Sequence, residues 1–349
     1  MINGNSTRSV AYFTQVYEAF CQAQAAREPF EASYKIADFV ISLRFAGDAL
    51  KAQMMPALAH LRTNSVADVD PDLTICFWDS VSTGVELPQI SGPKDDVSGD
   101  DGRIHMVYQT YDGVVDILRL LDWETNTAVY WIEDAALLPF GENTFAIRPL
   151  LHWWLRDRPF QLMHAGAVGT ESGGVLITGK RGAGKSTTTL ACLNSDLLYL
   201  GDDYVLAELD SEPATAHSIS NTAKLVPDNI HRFPALQSAI SNPHKLGPEK
   251  ALIYVHDYAS EKLITRFPIR AILQPRVTHQ RDTRLVPTSP VSSLMALAPT
   301  TVFHMQSTSQ QSLTKMSRLV RSVPNYVIEV GTDLAQIPEV ITKLLEESR

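Results

Sequence analysis

The chain has 349 residues, 44% of them hydrophobic and 20% charged, with 18 glycines and 20 prolines. That is globular composition, with enough apolar material to order two domains, and it excludes a disordered chain. A formal net charge of −9 without a long Lys/Arg run argues against broad nucleic-acid or anionic-membrane binding.

Cys21, Cys76 and Cys192 are far apart and form neither a CxxC pair nor a metal-ligand spacing, so they read as structural thiols. The amino-terminal stretch lacks the basic segment and apolar core of a signal peptide, and no apolar run reaches the roughly 18 residues of a membrane span. The expected location is cytoplasmic.

Residues 12–27 predict a short amphipathic helix. Residues 39–47 and 73–80 cluster β-branched and aromatic residues and predict strands. Between them, 49–61 has helical period, with Pro56 as an interruption or a first-turn residue. The segment 92–103 combines Gly, Pro, Ser and Asp and reads as a solvated loop; its acids lack the spacing of a calcium loop. Strands follow at 105–113, 114–123 and 127–134, then a helix over 145–158. Trp153 and Trp154 on that helix fit core or domain-interface packing better than an acceptor groove.

The second half alternates. Residues 174–179 are a short apolar strand, 185–194 a helix and 197–203 a strand ending in acids, which predicts an α/β sheet with parallel neighbours. The expected division is a β-rich α+β domain over 1–134, suited to acceptor binding or assembly, and a P-loop domain over 135–349.

GxxxxGK[ST] is satisfied in full by Gly179, Lys180, Arg181, Gly182, Ala183, Gly184, Lys185 and Ser186, with Thr187 next. Chance produces the pattern on the order of once in a few hundred chains, and here it also lies between a strand and a helix. The glycines let amide N–H groups turn inward at phosphate oxygens, Lys185 supplies a point charge, and the Ser186 hydroxyl can join a magnesium shell. These residues predict binding of a purine nucleoside triphosphate with Mg2+. Asp202 and Asp203 close the next strand, where acids can meet the metal and the nucleophile; a turn or helix cap is the plainer role. His164 reads as a strand residue, which in isolation is more often core than catalyst. Lys224, Lys250 and Arg276 are candidate phosphate or acceptor contacts, although surface cations are usually only solvated. His231, His244 and His256 form no metal pattern.

The run from Met163 to Cys192, followed by residues 197–204, resembles the catalytic core of the HPr kinase/phosphorylase family, distant relatives of the phosphoenolpyruvate carboxykinases. A strand histidine, the phosphate loop and an Asp-Asp pair occur there in this order. Residues 39–47, 217–225, 272–277 and the tail 324–345 resemble, more loosely, HPr-kinase-related proteins of bacterial biosynthetic clusters, some of which phosphorylate the terminal serine of lasso peptides. The resemblance implies an ATP- and Mg2+-dependent serine kinase acting on a peptide or small protein. It implies that Lys185 and the loop hold phosphates and that Ser186 and Asp202 hold the metal. One of the two acids, Asp203 in preference to Asp202, would be the base, and His164 would orient it or neutralise developing charge. Thr187 stands where the family loop usually has Glu, and the Gly- and Arg-containing signature of bifunctional members is missing, which counts against phosphorolysis. A small-molecule kinase and a nucleotide-dependent switch or ATPase stay open as alternatives, as does a homo-oligomer.

Overall fold

The computed structural model describes residues 3–63, 69–89, 98–303 and 309–347. The chain divides into two compact units, Met1–Trp154 and Leu155–Arg349. Residues 92–97 of the expected loop at 92–103 lie outside the described residues; of the rest, Ser98–Asp100 is a strand.

The first unit opens with α1 (Asn3–Ala26), longer than the predicted helix because Val10 extends the stripe of Phe13, Val16, Phe20 and Ala23 backward. The stripe packs on Trp78, Leu118, Leu120 and Trp131. These belong to an eight-stranded sheet of β1 (Pro29–Ile36), β2 (Phe39–Ala46), β3 (Arg62–Thr63), β4 (Leu73–Asp79), β5 (Ser98–Asp100), β6 (Ile104–Tyr111), β7 (Val115–Asp122) and β8 (Thr127–Ile132). The order is β3-β1-β2-β4-β8-β7-β6-β5. Among the described residues only β2–β4 and β4–β8 pair in parallel. Helix α2 (Asp48–Leu58) carries Pro56 inside its final turn rather than in its first. A one-turn helix, α3 (Ser80–Thr83), follows β4.

The helix expected over 145–158 is the shorter α5 (Arg148–Trp154), and a separate helix, α4 (Phe140–Phe145), precedes it. Both belong to the first unit, so the boundary falls at Trp154/Leu155 rather than at 134/135. The tryptophans explain this. The Trp153 ring lies 4.1 Å from that of His105, and Trp154 donates to the Asn126 side chain at 2.8 Å.

Helix α4 also inserts a charge. Glu142 accepts from Arg119 at 2.8 Å and from the Tyr130 hydroxyl at 3.2 Å, with all three side chains buried. Glu142→Gln leaves the Arg119 guanidinium without its counter-charge, and the expected cost is about 3–5 kcal/mol. Chemical denaturation of the full chain, followed by tryptophan fluorescence, measures it. A loss under about 1 kcal/mol, the range of an exposed pair, would mean the pair is solvated. The double replacement Arg119→Met with Glu142→Leu should recover most of the loss.

The second unit runs β9 (Phe160–Met163), β10 (Ala165–Thr170), β11 (Gly173–Thr178), α6 (Lys185–Ala191), β12 (Leu198–Gly201), β13 (Val205–Glu208), β14 (Thr215–His217), β15 (Thr222–Leu225) and β16 (Ala251–Tyr254). It continues α7 (Val255–Ala259), β17 (Arg266–Val277), β18 (Arg284–Pro287), α8 (Pro290–Phe303), α9 (Ser309–Ser322), β19 (Asn325–Val330) and α10 (Gln336–Glu347). The large sheet runs β12-β10-β11-β17-β14-β13-β9, with β19 beside β17 and β18 beside β19. Strands β11, β17 and β19 are parallel.

Alternation along these strands builds two cores. Leu176 and Ile272 pack in a cluster with Leu297 of α8 and Met316, Leu319 and Val320 of α9. Val175, Ile177, Ala271 and Leu273 pack in another with Ile337, Ile341 and Leu344 of α10. Successive residues point to opposite faces, so a strand that is apolar throughout requires cover on both sides. The unit is thus a mixed α/β layer structure. Among the described residues no helix is long and apolar enough to cross a membrane.

One prediction about this sheet needs correcting. Strand β12 is not the direct neighbour of β11, because β10 pairs antiparallel with both. Two reversals still leave β11 and β12 pointing the same way, and their carboxyl ends lie on one edge.

Candidate functional site

At the end of β11 the chain turns through Gly179–Gly184 into α6. Gly182 and Gly184 have φ of 82° and 104°, a region that side chains disfavour. A Cβ on Gly184 would also sit 3.6 Å from both Pro275 and Val277, so the end of β17 backs the loop. The Ala183 amide donates to the Lys180 carbonyl at 3.1 Å, and the Thr188 amide to that of Gly184 at 2.9 Å. The latter is the first turn of α6, so the Lys185 and Ser186 amides fall at orphan positions. The helix is shorter than expected, with 192–194 continuing as a 3-10 turn.

The Lys185 ammonium folds back over the loop, donating to the Gly179 carbonyl at 2.8 Å and to that of Lys180 at 3.4 Å. It is buried, and burial lowers its pKa; Asp202 and Asp203 oppose that shift, while the charge of Lys250 adds to it. Lys180 and Arg181 are exposed, Gly182 is at the loop tip, and Thr187 is buried in α6.

Beyond β12 lie the two acids. Asp203 has φ of 72°, and the Tyr204 amide donates to the Asp202 carbonyl across it at 2.9 Å. A hydrogen bond spanning one residue of positive φ makes a tight three-residue turn, an arrangement that costs backbone energy. It sends the two carboxylates into different surroundings. Asp202 is 1% exposed; Oδ2 accepts the Lys224 amide at 3.3 Å and Oδ1 has no hydrogen-bond partner. The Asp203 side chain is 28% exposed and accepts from Lys224 Nζ at 2.8 Å while bonding His164 Nε2 at 3.0 Å.

Their electrostatics separate accordingly. Burial, and then the charge of Asp203, raises the pKa of Asp202, against the hydrogen bond from Ser186, the Lys224 amide and Lys185. Burial pushes Asp203 up as well, but the Lys224 ammonium and His164 outweigh it and hold its carboxyl well below the usual range. Repulsion between neighbouring acids is relieved by giving each a different partner set.

His164 was expected within a strand. It lies instead in the bend between β9 and β10, where the chain passes from the β13 side of the sheet to the β11 side. Its amide donates to the Thr301 hydroxyl at 3.1 Å, and its ring stacks on Tyr204 at 5.1 Å between centroids. Gly166, just beyond, is required by packing. A Cβ there would collide with the Thr189 hydroxyl and lie 3.4 Å from Asp202 Oδ1.

The structure therefore brings together the loop, His164, Asp202 and Asp203. It adds Lys224, carried by the β15–β16 ribbon, which the Tyr199 hydroxyl ties to β12 by donating to the Thr222 carbonyl at 2.8 Å. Arg276 is not brought in, because Glu329 pairs with both Arg276 and Arg284. Tyr204 and Thr301 carried no chemical signal in the sequence; their role depends on a bend that sequence period does not mark.

The donor set suits a hard cation. A buried carboxylate oxygen of Asp202 without a donor and the nearby Ser186 hydroxyl, which pulls the pKa of that carboxylate down, offer oxygen ligands. Magnesium needs only one or two side chains beside phosphates and water, so the absence of a three-ligand cluster among the described residues is no obstacle.

No protein-family model and no curated protein matches the chain. Among solved structures, the Hpr(Ser) kinase/phosphatase from Coxiella burnetii is similar at 12% identity and a TM-score of 0.30, with 54% of this chain and 95% of that chain covered.

Proposed function

We propose that the protein is an ATP-dependent kinase that transfers the γ-phosphoryl group to a hydroxyl, the serine of a peptide or small protein. One observation carries this reading. A phosphate-loop lysine and a pair of acids meet at one edge of the sheet, with Asp202 inward beside Ser186 and Asp203 outward between His164 and Lys224. A site that only hydrolysed or sensed nucleotide would not need the second, outward carboxylate and its histidine.

Lys185 and the loop amides would hold the phosphates, and Ser186 with Asp202 would hold magnesium. The metal would neutralise charge on the β- and γ-phosphates. Asp203 orients the acceptor hydroxyl. The acceptor oxygen bonds to the γ-phosphorus as the bond to the β–γ bridging oxygen breaks, and the hydroxyl proton passes to Asp203. A carboxylate held this strongly ionised is a weak proton acceptor. Its contribution is therefore alignment, with proton transfer late, once the new bond has acidified the hydroxyl. His164 and Lys224 fix its orientation. The serine acceptor rests on the sequence resemblance.

The test is mass spectrometry of a peptide and metabolite library incubated with the full chain, ATP and Mg2+, alongside Lys185→Ala. Phosphate gained by a serine peptide, and absent with the variant, is the expected result. Gain on a metabolite would replace the peptide acceptor with a small molecule. ATP consumed at an undiminished rate with every acceptor unlabelled would favour a hydrolytic switch.

A further inference from the structure

The second unit carries a cavity of about 1180 Å³ beyond the carboxyl end of α6, the end away from the phosphate loop. Leu193, Phe233 and Leu236 form its floor, and all three belong to the apolar cluster that also holds Leu225 and Ala251 of the β15–β16 ribbon. Its walls are the turn after α6, residues 258–262 and the side of α10 that carries Glu339 and Glu346. Sites for small molecules occupy roughly 300–1,000 Å³, so this one has room for several side chains of a chain segment.

The rim of this cavity is acidic. Asp196, Glu261, Glu339 and Glu346 line it, and among the described residues none of these carboxylates has an ion-pair partner. The lining cations are fewer and mostly engaged. The Lys262 ammonium donates to the Ser195 carbonyl at 2.6 Å and Lys343 lies 4.0 Å from Glu347, which leaves Arg232. Helix α10 adds to the imbalance. Its last turn holds Glu346 and Glu347 and no base, although the orphan carbonyls there already carry partial negative charge. The ligand that complements these walls is apolar where it meets the floor and positively charged where it meets the rim.

Building on the kinase reading, we propose that this cavity docks an apolar segment of the acceptor peptide flanked by lysine or arginine, away from the serine that receives the phosphoryl group. A segment held there adds affinity without touching the reacting atoms, and the opposed charges steer its approach. From Lys185 to Leu193 the chain advances about 12 Å, at roughly 1.5 Å per helical residue. An extended peptide covers about 3.3 Å per residue, so at least about four residues separate the docked segment from the serine.

Fluorescence anisotropy of the full chain with a short labelled peptide alternating leucine and lysine tests this. Glu339→Lys combined with Glu346→Lys, both at exposed positions, is expected to weaken binding about tenfold at low salt and far less at high salt. Ala335→Trp, which fills the cavity from an exposed position in its lining, should weaken it at every salt concentration. A peptide alternating leucine and glutamate should bind much more weakly. Absence of binding, equal binding of the glutamate peptide, or undiminished affinity in either variant overturns the assignment. In the transfer assay, a serine peptide bearing a basic, apolar segment should show KM raised about tenfold by the double substitution, with kcat unchanged. Labelled peptides with an unchanged KM overturn the docking assignment and leave the kinase reading in place. If the leucine–lysine probe binds as expected and no acceptor is labelled, the kinase reading falls and the docked segment is not an acceptor's.

Discussion

Lys185→Ala is expected to lower phosphoryl transfer by about 10³-fold, the upper range for removing one preorganised charge from a developing phosphoryl transition state. The ammonium is buried against its own loop, donating to the carbonyls of Gly179 and Lys180, so it is held in place before any ligand arrives. Charge positioned in advance needs no reorganisation at the moment of reaction. Lys185→Arg should not rescue the activity, because a planar guanidinium cannot occupy a space shaped around a point charge bonded to two converging carbonyls. The transfer rate with saturating acceptor measures the effect, and circular dichroism confirms that the variant is folded. Activity within about tenfold of the unmutated protein would mean that this loop does not carry the phosphates.

Asp203→Asn is expected to leave nucleotide affinity within about threefold and to reduce transfer by about 10²–10⁴, the range for a positioned acid–base group. Asparagine is the informative replacement. It tolerates the left-handed backbone that Asp203 occupies at φ 72°, so the turn should persist. It also keeps one oxygen for Lys224 while removing the negative charge shared by Lys224 and His164. Asp202→Asn should behave differently, weakening the Mg2+ dependence of binding, because Asp202 is the buried acid beside Ser186. Measuring both variants by calorimetry and by transfer rate separates the two acids. If Asp202→Asn spares metal-dependent binding and loses only transfer while Asp203→Asn does the reverse, the roles are exchanged.

The sequence was informative wherever the signal was local. Strand residues 39–46 and 73–79 were readable because β-branched and aromatic residues cluster there. The loop from Gly179 to Ser186 was readable because its glycines and lysine occur at fixed offsets between a strand and a helix. Trp153 and Trp154 were correctly read as core residues, yet the helix that carries them was drawn too long. Its true start at Arg148 is set by Pro149 in the first turn, while the apolar residues Phe145, Ala146 and Ile147 before it invite extension of the pattern backward. The domain boundary followed the same error, since the packing of those two rings draws residues 135–154 into the first unit.

By itself the sequence determined an α/β chain, marked Gly179–Ser186 as a glycine-rich turn between a strand and a helix, and named His164, Asp202 and Asp203 as candidates beside it. Only the tertiary structure decided their partners. His164 and Asp203 meet across 39 residues and Lys224 reaches Asp203 across 21, whereas Arg276 is drawn away by Glu329. Insertion of β10 between β11 and β12, and the bend that frees His164 from a strand, were equally out of reach of the sequence. The physical reason is that propensity and periodicity act over a few residues and fix an element's type and buried face. Which strand pairs with which, and which cation neutralises which acid, is settled by contacts between segments whose separation along the chain carries no periodic signal.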